Sequence, residues 1–137
     1  MLSFIFKRTH TKYHIKNLLD LAKSDGFFHM NEYEFLLVVA RKYGLSTNFI
    51  QDIDKKTPKI NFSLPKRDSD KFKYWYDLIS MVLADNVVHE KEIEFCESMA
   101  LKFGYPADFT HKTISKIQEG KSFEEIYQTF SQEKSLL

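Results

Sequence analysis

The 137-residue chain contains one stretch of sequence twice. Residues 14–49 align without a gap on residues 74–109, sixty positions later, and ten of the thirty-six aligned positions are identical. A repeat with this long a period is typical of one supersecondary unit used twice, with its copies packed around a shared core. The duplication therefore predicts a single domain built from two related halves. The identical pairs are Leu18/Leu78, Asp25/Asp85, His29/His89, Glu32/Glu92, Glu34/Glu94, Phe35/Phe95, Ala40/Ala100, Lys42/Lys102, Gly44/Gly104 and Phe49/Phe109.

Apolar residues recur at helical spacing in both halves, which predicts an all-α fold. The first helix of the second half is expected to be capped by Asp68 or Ser69. Gly44 and Gly104 follow the second helix of each half, where a left-handed C-terminal cap is expected. The predicted helical stripes are Ile15, Leu18, Leu19 and Ala22; Phe72, Trp75, Tyr76, Ile79, Val82 and Leu83; Phe35, Leu36, Val39, Ala40 and Tyr43; and Phe95, Cys96, Met99, Ala100 and Phe103.

The predicted organisation is a first repeat over about 12–54, a linker over 55–67, a second repeat over about 68–117 and a last helix over about 122–133. Third helices are expected to begin at Ser46 and Pro106.

Two prolines predict an extended linker. Residues 55–73 hold seven Lys/Arg and two Asp, which indicates either a solvated linker or a strip that binds an anionic surface or an acidic protein. Residues 85–97 are acidic, which favours self-association or a cationic ligand.

The composition excludes several classes of protein. A net charge of +1 gives no global basic field, so no nucleic-acid partner is expected. The single cysteine, Cys96, has no disulfide partner within the chain, which favours a reducing compartment. No apolar run is long enough for a signal-peptide core or a membrane span. A soluble, cytoplasmic protein is therefore expected.

One polar constellation is duplicated, and it has two interpretations. In the first, each Asp folds back onto nearby amides, each His is a helix N-cap and each Glu completes a capping box. In the second, the same side chains bind a divalent cation. Carboxylates suit Ca²⁺ or Mg²⁺, whereas a bound imidazole favours Zn²⁺ or Mn²⁺. The candidate metal ligands are Asp25, His29, Glu32, Asp85, His89 and Glu92.

The remaining reactive side chains are predicted to be structural. Cys96 lies on a core stripe and is expected to be a buried small hydrophobe. His10, His14 and His111 are isolated in the sequence and are expected at the surface. Trp75, with its tyrosine neighbours, indicates either core packing or a platform for stacking a ligand.

The segment LLDLAKSDGFFHMNEYEFLLVVARKYGLS resembles the signature of the TerB-like (tellurite-resistance protein B-like) domain family. The matching positions are Asp25-Gly26, Glu32, Glu34 and Gly44-Leu45-Ser46, with Ala84-Asp85, Glu92 and Glu94 in the second half. The likeness covers roughly residues 12–115. It implies a bundle of about seven helices with internal pseudo-twofold symmetry, a divalent-metal site at the acidic residues, and a link to stress and membrane-associated complexes.

These observations predict a non-enzymatic helical interaction or regulatory module, stress-related by resemblance. A protein partner is expected, with a homodimer as the alternative. The second hypothesis is a divalent-cation sensor that uses the duplicated Asp/His/Glu loops, with the cation as its only cofactor. The third is a hydrolase that uses the paired carboxylates around a metal.

Overall fold

In the computed structural model, residues 2–23, 30–45, 48, 64–84 and 87–135 are described, and every regular element among them is an α-helix. The all-α class is therefore confirmed for this part of the chain. The helices described are α1 (Leu2–Ala22), α2 (Met30–Lys42), α3 (Asp68–Val82), α4 (Glu90–Phe103), α5 (Phe109–Gln118) and α6 (Phe123–Ser135).

Helix α3 is the centre of the bundle, and it packs against all of the other described helices. Its buried residues are not confined to one narrow stripe, since they include both Tyr74 and Trp75, which are adjacent in the sequence. Trp75 is fully buried, and its indole nitrogen donates a hydrogen bond to the Thr113 hydroxyl of α5 at 3.0 Å. A buried indole needs such an acceptor, since an unpaired N–H loses its hydrogen bond to water without replacement.

The helix boundaries recur at the period of the sequence repeat. Helix α1 ends at Ala22 and α3 at Val82, whereas α2 begins at Met30 and α4 at Glu90. Helices that begin and end sixty residues apart are what a supersecondary unit used twice predicts.

The predicted glycine stops are confirmed in both halves. Gly44 and Gly104 have φ angles of 76° and 84°, in the left-handed region that glycine adopts without a steric penalty. The amide of Leu45 then donates to the Ala40 carbonyl, and the amide of Tyr105 donates to the Ala100 carbonyl, each at 2.8 Å. These are the long hydrogen bonds of a Schellman motif, which satisfies carbonyls at the helix end.

The predicted N-cap of α3 is wrong. Arg67 occupies the cap position without a side-chain cap hydrogen bond, and Asp68 is the first helical residue. Asp68 and Asp70 lie in the first turn, where the positive end of the helix dipole favours a carboxylate. Their negative charge therefore stabilises the helix start from inside the helix.

The third helix and the last helix agree with the sequence pattern where they are described. Helix α5 is the predicted third helix of the second half, but its predicted start at Pro106 is wrong, because a turn closed by the Phe109 amide on the Pro106 carbonyl at 3.0 Å precedes the helix. Helix α6 is the predicted last helix. The predicted third helix from Ser46 and most of the 55–67 linker lie outside the described residues. Helix α1 begins earlier than its apolar stripe indicates. Across the described ranges, no helix has the length and apolar content that a membrane crossing needs.

Candidate functional site

A buried carboxylate links the two halves of the chain. Asp77, on α3, is 4% exposed, and its three described donors all come from the first half. Its Oδ2 accepts hydrogen bonds from the Tyr43 hydroxyl at 3.0 Å and from the His14 Nε2 at 2.9 Å. Its Oδ1 lies 3.4 Å from the Lys42 ammonium. The hydrogen-bonding capacity of this buried carboxylate is therefore satisfied, as buried polar groups require.

His14 is the most enclosed member of this cluster, because no part of it is exposed to solvent. Its ring stacks on Tyr74 with centroids 4.0 Å apart and planes 4° from parallel, and the edge of Tyr43 approaches it at 5.5 Å. Burial lowers the pKa of His14 below the ordinary 6.5, against the opposing effect of Asp77. The imidazole is therefore neutral near pH 7, with the Nε2 proton directed at Asp77.

The tyrosines of the cluster are held as neutral hydroxyl groups. Burial raises the pKa of Tyr43 far above its usual range, and the neighbouring Asp77 carboxylate raises it further. Burial likewise raises the pKa of Tyr74. Since a phenolate beside Asp77 would place two negative charges in contact, Tyr43 acts only as a donor here.

Burial separates His14 and Asp77 from solvent. A general base must come within hydrogen-bond distance of the proton that it removes. The imidazole of His14 is fully enclosed, and Oδ2 of Asp77 is already engaged by two donors. Cys96 is also fully buried, and that burial raises the pKa of its thiol, with Glu92 and Glu97 adding to the effect. Burial thus disfavours Cys96 as a nucleophile and His14 as a proton carrier.

Beside this cluster lies an open cleft of about 1160 Å³. Four elements form its walls in the described part of the chain: α1, the end of α2, the segment leading into α3 with α3 itself, and the start of α6. Its aromatic lining consists of Tyr43, Tyr74, Tyr76 and Phe123. Its cationic side chains are Lys42, Lys66, Arg67 and Lys73, and its carboxylates are Asp70 and Glu124. The cleft thus carries an excess of positive charge over an aromatic floor.

The predicted metal ligands are only partly within the described residues. His89 is the N-cap residue of α4, as expected, but its side chain makes no cap hydrogen bond. Glu92 is 1% exposed, and its Oε1 lies 3.8 Å from the His89 Nε2. The side chains of Asp25, His29, Glu32 and Asp85 lie outside the described residues. Among the side chains described, no three His, Cys, Asp or Glu residues are grouped as a metal site requires.

The prediction that His14 lies at the surface is wrong, whereas His111 is exposed as expected. One signal in the sequence indicates this burial. His14 precedes Leu18 by four residues and Leu21 by seven, so it shares a helical face with two fully buried leucines. Its repeat equivalent is Tyr74, on which it stacks. The partner Asp77 has no such signal, because it is 63 residues away.

Comparisons of the chain with models of protein families, with curated proteins and with solved structures give no match.

Proposed function

We propose that this chain is a non-enzymatic helical interaction module whose protein partner binds in the cleft beside Asp77. The observation that carries this proposal is the cleft itself, where Lys42, Lys66, Arg67 and Lys73 surround four aromatic rings. Open concave surfaces that combine apolar rings with a few charged groups are the usual places where proteins bind ligands. The enclosed His14 and the protonated Cys96 support a binding role over a catalytic one.

The proposal includes a TerB-like architecture of about seven helices. Its support is the repeat of helix boundaries and of the Gly44 and Gly104 stops at sixty residues. The additional helix in this proposal begins near Ser46, outside the described residues. A stress-related role is proposed only through the resemblance to the TerB-like family.

Site-specific photo-crosslinking in cells of the source organism tests the interaction role. A benzophenone amino acid at Lys66, on the rim of the cleft, is compared with one at Lys102, which is exposed on α4 outside the cleft. We expect a protein adduct of defined mass from position 66 and none from position 102. The adduct should disappear when Arg67→Glu is added. Equal adducts at both positions, or none at position 66, would contradict the proposal.

A divalent-cation sensor is the second candidate, and the burial of Glu92 beside His89 favours it. A carboxylate with 1% exposure is costly unless a positive or hydrogen-bonding group compensates it. The proposed ligands remain Asp25, His29, Glu32, Asp85, His89 and Glu92.

Thermal unfolding tests the sensor, first with EDTA and then with Ca²⁺, Mg²⁺, Mn²⁺ or Zn²⁺. An ion at a hundredfold excess over its Kd stabilises the native state by about 2.7 kcal/mol, which raises Tm by several degrees. Glu92→Gln should abolish the shift, whereas Glu94→Gln, at an exposed position on the same helix, should retain it. The absence of a shift with every ion would remove this candidate.

A further inference from the structure

The cations of the cleft differ in whether the protein already neutralises them. Lys42 lies 3.4 Å from Asp77, and Lys73 lies 3.7 Å from Asp70. Lys66 and Arg67 are exposed and make no ion pair with any described residue. Lys66 and Arg67 are thus two adjacent cations at the cleft that no described carboxylate pairs with directly.

The openness and the varied lining of the cleft favour a segment of polypeptide over a small molecule. Its volume of about 1160 Å³ is at least as large as that of most small-molecule pockets, which is roughly 300–1,000 Å³. The cleft is also open, and its lining extends from α1 across α3 to the start of α6. An open surface lined by several elements fits a chain segment that contacts them in succession.

The charge pattern favours a peptide over a nucleic acid. The net charge of the whole chain is only +1, whereas nucleic-acid-binding domains are usually strongly basic. Asp70 and Glu124 also line the cleft, where they would repel a continuous phosphate backbone. A peptide tolerates such a mixture, because its own charged side chains are separated by neutral residues.

The aromatic rings of the cleft also argue against stacked bases. Tyr74 is stacked on His14, and Tyr76 packs edge to face with Phe123 at 5.1 Å. Tyr43 approaches Tyr74 edge to face at 5.6 Å. Because every ring of the lining is packed against another ring of the protein, these rings form a fixed apolar floor and not a set of free stacking platforms.

We infer that the cleft binds a peptide segment of a partner protein in which Asp and Glu alternate with apolar residues. Its carboxylates pair with Lys66 and Arg67 on the rim, and its apolar side chains pack on Tyr76 and Phe123. The inference rests on the proposed function, to which it adds the chemistry of the partner.

Lys42 connects this binding to the buried cluster. Its side chain is 51% exposed, whereas that of Asp77 is 6% exposed, so its ammonium group lies between the buried carboxylate and the cleft. A ligand carboxylate competes with Asp77 for Lys42. Asp77 retains the hydrogen bonds from Tyr43 and His14 when Lys42 moves. Binding in the cleft therefore changes the electrostatic surroundings of His14, which no solvent or ligand touches.

Fluorescence anisotropy with a labelled peptide that alternates Glu with Leu and Ser tests the inference. The controls are the same peptide with Gln in place of Glu, a thymidine oligonucleotide and vesicles that contain phosphatidylserine. We expect binding of the acidic peptide alone, weakened by salt because exposed charges are screened. Lys66→Glu with Arg67→Glu should weaken binding at least about tenfold, since each reversal replaces an attraction by a repulsion.

Lys102→Glu with Lys121→Glu is the matched control. It changes the net charge equally, at exposed positions outside the cleft, and should leave the affinity within about twofold. In parallel, the ¹⁵N NMR shifts of the His14 imidazole should move on saturation with the acidic peptide. Equal losses in both double variants would reduce the effect to global charge and overturn the inference.

Three other results would also overturn it. These are equal affinity for the Gln peptide, tighter binding of the oligonucleotide or vesicles, and concentration-dependent self-association through the cleft that excludes the peptide. Crosslinking from position 66 with no binding of the acidic peptide would refute this inference alone. The absence of both the crosslink from position 66 and the binding of the acidic peptide would refute the proposed function as well.

Discussion

The two halves of the chain end their second helices with different chemistry at equivalent positions. At the end of α2, the Tyr43 hydroxyl donates to Asp77 across the bundle. At the end of α4, Phe103 has no hydroxyl and packs against Trp75 with ring centroids 5.9 Å apart. Asp77 itself corresponds to Asn17, and His14 corresponds to Tyr74. Helix boundaries and glycine stops thus recur at the repeat period, whereas the side chains at these three positions of the polar cluster differ.

This difference shows which part of the molecule the repeat constrains. Helix ends and glycine stops recur because they depend on local sequence. The contacts of Asp77 do not recur, because each depends on one side chain from each half. A comparison of equivalent substitutions in the two halves therefore separates the shared architecture from the single polar site.

The largest expected difference is between Asp77→Ala and Asn17→Ala. Removing Asp77 leaves the neutral donors of His14 and Tyr43 without their acceptor, and each unsatisfied buried donor costs about 1–3 kcal/mol. Asn17 is buried but uncharged, so its loss should cost about 1–2 kcal/mol. Urea unfolding of both variants measures the difference. Equal losses would show that Asp77 has no special role.

The exchange of Tyr43 and Phe103 should produce a smaller effect in both halves. Tyr43→Phe removes a hydrogen bond to a charged acceptor, with an expected loss of about 1.5–3 kcal/mol. Phe103→Tyr places a hydroxyl in a fully apolar position that is 2% exposed, and should cost about 1–3 kcal/mol. The measurement is again the free energy of unfolding in urea. A neutral Tyr43→Phe would mean that Asp77 needs no donor from α2.

The glycine stops should respond alike in the two halves. Gly44→Ala and Gly104→Ala each force a side chain into the left-handed region, with an expected cost of about 1–2 kcal/mol. There is room for the added methyl group at both positions. At Gly44 it would meet no atom within 4 Å, and at Gly104 it would lie 3.9 Å from the Lys71 ammonium. Thermal unfolding should therefore show similar decreases in Tm. A much larger decrease in one half would reveal a constraint beyond the backbone angle.

The smallest expected effect is on the pH dependence of stability, because burial and Asp77 act on His14 in opposite directions. The folded-state pKa lies below the ordinary 6.5, so the unfolded chain binds the additional proton first as the pH falls. Stability is therefore complete above pH 6.5 and decreases from there toward the lower folded-state pKa. His14→Gln should flatten this decrease, whereas His111→Gln, at an exposed position, should not. Denaturation at a series of pH values measures it, and an unchanged slope in His14→Gln would contradict the assignment.

The sequence predicted the repeated elements because their signals are local. The apolar stripe of α3 and the glycine that ends α4 can each be read from residues only a few positions apart in the sequence. The N-cap of α3 was not predicted correctly, because Asp68 is favourable both as a cap and inside the first turn, and the pattern does not distinguish these positions. A boundary error of one residue is common for that reason.

The sequence indicated only part of the candidate site. The basic strip over residues 55–73 includes Lys66, Arg67 and Lys73 of the cleft, whereas His14, Tyr43 and Asp77 come together only in the folded chain. The repeat drew attention to residues that are identical in both halves, such as His89 and Glu92. In the cluster around Asp77, His14, Tyr43 and Asp77 itself differ from their repeat equivalents, whereas Lys42 is identical to Lys102. Asp77 and Tyr43 are each substituted at the equivalent position. A search for residues that are identical in the two halves therefore misses most of this cluster.

Each half depends on the other through the donors of Asp77. His14, Lys42 and Tyr43 belong to the first half, whereas Asp77 belongs to the second. The cleft beside α3 combines Lys42 and Tyr43 of the first half with Tyr74 and Tyr76 of the second, so the shape of this surface also depends on both halves.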